Sequence, residues 1–123
     1  MMGKWVSAAV LDGALTVVSG ATRMLALAGQ PASYAAALSG RLAEAVLAPG
    51  DFSFTPGNVS GRKVDVAAKA DVPVTASGTA DHVALVDAVS ETLIYVTTCP
   101  AQALVSGGAV NFGPWSIEFG DPQ

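Results

Sequence analysis

The chain has 123 residues, of which 51% are hydrophobic and only 13% charged, with a net charge of −4. An ordinary globular domain carries about 25% charged residues, so the surface is bland, and part of it is expected to be covered by other protein. Six Lys and Arg spread along the chain argue against nucleic acid, which needs them clustered, and the length supports one hydrophobic core, hence a single β-rich domain over 1–123.

Lys4 followed by Trp5-Val6-Ser7-Ala8-Ala9-Val10-Leu11 imitates a signal peptide, but Asp12 interrupts the apolar stretch and no clear cleavage site follows. Asp12 and Arg23 also divide the only candidate for a membrane span, which needs about 20 apolar residues. The segment is read as structure, and no membrane is expected as a partner. Val6, Val10, Leu11, Leu15 and Val18 recur near helical spacing and predict a short amphipathic helix ending at Ser19-Gly20. Gly13 in its middle weakens that helix.

Arg23 to Ala28 is short and punctuated at both ends, by Gly20 and by Gly29-Gln30-Pro31, and predicts a buried strand. The Ala-rich segment Ala32 to Leu38 is ambiguous, a helical turn being one reading and Gly40 its stop. Arg41 to Ala48 predicts a second strand. Pro49-Gly50-Asp51 and Pro56-Gly57-Asn58 are turn signals that leave Asp51 to Thr55 a short extended piece.

Beyond Gly61 the period is close to two, with Val64 and Val66 and then Val72, Val74 and Ala76 alternating with polar or turn-forming neighbours. His82 to Val86 and Thr92 to Thr98 predict a hairpin about a turn at Asp87 to Glu91, and the β-branched and aromatic content of Thr92 to Thr98 suits a central strand. Gln102 to Val105, Ala109 to Phe112 and Trp115 to Phe119 follow as separate strands. Short strands at regular spacing describe a mainly β fold, an antiparallel β-sandwich or barrel with a short N-terminal helix.

Candidate chemistry is sparse. His82 lies next to Asp81, but adjacent residues of a regular strand point to opposite faces, so Asp81 is not expected to orient it, and Asp87 falls on the side of Asp81. The serines sit in Gly-rich turns without a nucleophile-elbow motif. One His and one Cys cannot supply a usual zinc set, and Val105-Ser106-Gly107-Gly108 lacks the Lys and helix of a phosphate-binding loop. Cys99, which has no second cysteine to pair with, fits synthesis in a reducing cytoplasm and reads as a small buried hydrophobe. No catalytic, cofactor-binding or metal-binding residue is assigned, and no enzyme is expected.

The remaining candidates concern contact. Arg62 and Lys63, after Ser60-Gly61, form the sole basic pair and could meet a carboxylate-rich partner, against the plainer reading of a turn followed by solvated strand side chains. Trp5, Val6, Val10 and Leu11 are the stronger interface candidates. They make residues 1–20 a docking segment, with Trp5 either a staple onto the domain's own core or an anchor on a partner.

Thr22-Arg23-Met24-Leu25 leading to Gln30-Pro31-Ala32-Ser33-Tyr34, then Val59-Ser60-Gly61-Arg62-Lys63, Gly78-Thr79-Ala80-Asp81-His82-Val83-Ala84-Leu85-Val86-Asp87 and Gly107-Gly108-Ala109-Val110-Asn111 resemble small structural proteins of tailed bacteriophages and prophages, found among head and tail assembly genes. The resemblance covers nearly the whole chain, and its motifs are turns and strands rather than active-site signatures. It implies a virion component, most like a head decoration or capsid cement protein. Such a protein is made in the host cytoplasm, sits on the capsid exterior and binds the major capsid protein and further copies of itself. A neck, stopper or tail component is the alternative within virions. A host-binding carbohydrate or receptor module, with Tyr34, Tyr95 and Trp115 as its aromatic platforms, is the alternative of a different class.

Overall fold

The structure is a computed structural model that describes residues 8–57 and 61–119. Helix α1 (Ala8–Ser19) leads into strand β1 (Arg23–Leu27), helix α2 (Tyr34–Gly40) and strand β2 (Arg41–Val46). A 3-10 turn at Pro49–Asp51 precedes β3 (Phe52–Pro56), β4 (Arg62–Val66), β5 (Lys69–Pro73), β6 (Gly78–Asp87), β7 (Thr92–Leu104), β8 (Ala109–Phe112) and β9 (Trp115–Phe119). All strand pairs are antiparallel and form a four-stranded sheet β2-β1-β6-β7, a three-stranded sheet β3-β4-β9 and a pair β5-β8.

The mainly β class and the N-terminal helix are as the sequence predicts. Of sandwich and barrel, the fold is the sandwich: among the described residues the sheets keep open edges and none closes on itself. The ambiguous Ala-rich segment is α2, whose N-terminus is capped by Ser33, the Oγ accepting the Ala36 N–H at 3.1 Å.

Strand β1 explains the layering. Met24, Leu25, Ala26 and Leu27 are all buried, so this strand needs cover on both faces. Met24 and Ala26 enter the larger core, shared with Leu15 and Val18 of α1, Phe52, Val64 and Ile117 of the three-stranded sheet, and Val72 and Phe112 of the β5-β8 pair. Leu25 and Leu27 enter a smaller core with Ala37 of α2, Ala84 and Val86. The four-stranded sheet is therefore the middle of three layers, with α2 on one face and the remaining strands and α1 on the other.

Two details of β7 depart from the sequence reading. Thr92 to Thr98 and Gln102 to Leu104 are one continuous 13-residue strand rather than two. Pro100 is tolerated within it because the strand lies at a sheet edge and is irregular there: Ala80 pairs with Gln102 and His82 with Thr98, so Cys99, Pro100 and Ala101 stand opposite Asp81 alone. The same edge placement means that the apolar Thr92 to Thr98 run, suited to a central strand, has a strand on one side only among the described residues.

Helix α1 is anchored in the domain by Leu15, which is fully buried, and Val18. Part of the segment expected to dock on a partner thus belongs to the core. Gly13 faces solvent with nothing within 4 Å of where a Cβ would stand. Urea denaturation is expected to show Leu15→Ala destabilised by about 2–5 kcal/mol. Gly13→Ala should instead be stabilised by about 0.5–1 kcal/mol, because it removes helix-interior glycine without a clash.

Candidate functional site

Among the predicted contact residues, Trp5 and Val6 lie outside the described residues. Val10 and Leu11 are within α1, but their side chains are outside the description. Arg62 is engaged inside the chain: its Nε donates to Asp12 Oδ1 at 2.8 Å, tying β4 to α1. Asp12, which interrupts the apolar N-terminal run, is thus engaged inside the chain. Lys63 Nζ lies 3.6 Å from Asp65 Oδ1, and Asp65 also accepts from Ser116 Oγ and Thr55 Oγ1. The Ser116 hydrogen bond, ahead of the nearby Lys63 charge, lowers the Asp65 carboxyl below its ordinary range.

Asp81 and His82 correct the strand-alternation argument. Asp81 Oδ1 is 2.7 Å from His82 Nδ1, because the irregular pairing opposite Cys99 to Ala101 breaks the alternation at this point. The same Oδ1 accepts the N–H of Gly29 at 2.7 Å, and Gly29 has φ +82°, a conformation that favours glycine. The bond to His82, followed by that from Gly29, holds the Asp81 carboxyl below its ordinary range. The corner fastens the loop after β1 to the irregular part of the β6-β7 hairpin.

Burial, and then the negative charge of Asp81, push the Cys99 thiol pKa up, which keeps it protonated at neutral pH and disfavours the nucleophilic thiolate. Among the described residues no three His, Cys, Asp or Glu side chains are grouped to hold a metal ion.

A concavity lies elsewhere on the surface. A groove of about 990 Å³ runs between the second half of β7 and the β8 to β9 segment, with Thr98, Pro100, Leu104, Val110, Phe112 and Trp115 on its walls. Neither Asp81 nor His82 lines it, and among the described residues none of its lining side chains is Asp, Glu, Lys, Arg or His. Trp115, on the groove wall, packs against Tyr95, the ring centroids 6.0 Å apart, while Tyr34 packs on the smaller core. Among the described residues the groove offers apolar contact, hydroxyls, amides and the single thiol of Cys99, whose raised pKa disfavours the thiolate.

A signal for this surface is present in the chain: no charged residue occurs from Thr92 to Ile117, the longest uncharged run in the sequence. Reading strands one at a time conceals the run. Folding then gathers it, since β7, β8 and the start of β9 together form the groove walls. No family model, curated protein or solved structure matches this chain.

The acid side of the stability profile follows from the carboxylates. Asp51, Asp65, Asp81 and Asp87 all have lowered pKa values in the folded chain, Asp51 chiefly through the Ala48 N–H and then Lys69, Asp87 chiefly through the Val89 N–H. Their stabilisation is fully present above the unfolded carboxylate pKa, near ~3.9, and is lost as pH falls through the lower folded values. Melting temperature should therefore hold down to about pH 5 and decline below about pH 4. Asp81→Asn should give a shallower decline in the same titration.

Proposed function

We propose that this protein is a structural component of a tailed-phage virion, a decoration or cement protein that binds the outer head lattice and braces contacts between major capsid subunits. The observation that carries the reading is the uncharged groove beside the exposed edge of β7, which has the chemistry of a contact surface and, among the described residues, no charged side chain on its walls. An uncharged surface loses little solvation free energy when covered. Repetition on a symmetric lattice lets a modest contact hold firmly, because many copies act together. The strand and turn pattern resembling small phage structural proteins supports the same class.

The described connections between elements are short. The longest simple loop is the six residues between β1 and α2, and the Ala-rich segment that the sequence left open as loop is helical. This favours a lattice-covering component over one that locks stacked rings through a long arm. Quantitative mass spectrometry of purified virions, referenced to the major capsid protein, tests the assignment. Copies on the order of hundreds, in a simple ratio to capsid subunits, are expected for decoration. A count near six or twelve, about what one ring at a vertex or tail holds, would overturn it in favour of a neck or tail part.

A further inference from the structure

We infer that the free edge of β7 pairs with the same edge of a second copy, antiparallel about a two-fold axis at Val96, to give one continuous eight-stranded sheet. The two edges of the four-stranded sheet are treated very differently. The β2 edge carries Arg41 and Glu44, joined to each other and to Arg23 at 3.6 Å. It is also covered: Ala43 bridges Val74, and the Leu42 carbonyl accepts the Thr75 N–H at 2.8 Å. The β7 edge has no charge along its 13 residues and, among the described residues, no strand on its outer side. An uncharged edge of this kind is a template for another strand.

The shape of the missing neighbour is set by both faces of β7. Leu93 and Val96 are half-buried against the α2 core, while Ile94 and Tyr95 are half-buried against the larger core. A lone added peptide would satisfy the edge backbone yet leave these side chains open to solvent beyond it. A second copy brings a sheet already covered on both faces, and a two-fold axis perpendicular to the sheet puts α2 beside α2 and the second layer beside the second layer. Both cores then continue across the joint.

The register follows from the same symmetry. Tyr95 to Thr98 pair regularly with Leu85 to His82, and irregularities at Ile94 and at Cys99 to Ala101 bound this stretch. An axis at Val96 sets Val96 opposite its counterpart and Tyr95 opposite Thr97 of the second copy, β-branched and aromatic pairs that stabilise sheets. Neither copy, although acidic overall, places a charge opposite the other. The bounding irregularities limit the joint to a short ladder and keep the edge from extending further.

This inference rests on the reading of the uncharged region as a contact surface and is tested on the isolated protein, apart from any virion. Sedimentation equilibrium of the full chain should show a monomer–dimer equilibrium. Val96→Lys sets two like charges facing each other across the axis and should weaken the dimer at least about tenfold, as should Val96→Glu. Mixing the two variants should restore association, because a self-facing position becomes a Lys–Glu pair. The native Cys99 gives a second measurement that needs no substitution: spin labels there should lie on the order of 20 Å apart, six residue steps along the paired strands. That distance decides the matter if the position-96 variants do not fold. A monomer at all concentrations, another oligomer, no recovery on mixing, or a label separation above about 40 Å overturns the pairing. In each case the copy number per virion still tests the decoration reading separately.

Discussion

A strand that is apolar on both sides cannot rest on a surface, and β1 imposes that constraint on everything around it. Met24 and Ala26 need one core, Leu25 and Leu27 another, and the chain supplies both by placing α2 on one face of the middle sheet and a second layer of strands on the other. Helix α1 completes the second layer through Leu15 and Val18. With the smaller core roofed by a single seven-residue helix, the sheet is well covered at β1 and β6 and progressively less so toward β7. The exposed apolar edge is thus a consequence of how the cover is distributed.

Charge is distributed with the same asymmetry. Ion pairs occupy the β1-β2 end of the sheet, the junction of α1 with β4, and the turn before β3, where Asp51 joins the Ala48 N–H to Lys69 Nζ at 2.9 Å. These partly exposed pairs position elements more than they stabilise them, each contributing about 0–1 kcal/mol. The opposite end, built from Thr92 to Ile117, has no charged side chain and relies on packing, backbone pairing and a few neutral side-chain hydrogen-bonding groups such as Ser106, Asn111 and Ser116. A protein that must remain soluble while offering a surface for other protein gains from separating the two regions, since exposed charge resists unspecific pairing and its absence permits the specific one.

The Asp81 corner shows where reading along a strand fails. Alternation of faces holds only while pairing is regular, and three residues of β7 opposite Asp81 suspend it. The carboxylate then reaches both its neighbour His82 and Gly29, 52 positions away. Nothing local to Ala80-Asp81-His82 announces this, because the irregularity originates in Cys99-Pro100-Ala101 on the other strand. Proline disfavours regular pairing wherever it stands in a strand, but the effect of Pro100 on its partner strand depends on which strand it faces.

The sequence by itself determined the class of the fold and most of its elements. Helical spacing marked α1, flanking turn residues marked β1, β2 and β3, alternation marked β4 and β9, and the β6-β7 hairpin followed from two apolar runs about a polar turn. These are local signals, encoded by side-chain period and by Gly and Pro. Tertiary structure alone decided the three-layer order, the use of Leu15 and Val18 as core, the pairing of Arg62 with Asp12, and the position of β7 at an edge. Each depends on contacts between residues far apart in the chain, and a composition suited to a central strand cannot specify whether its second neighbour comes from the same molecule.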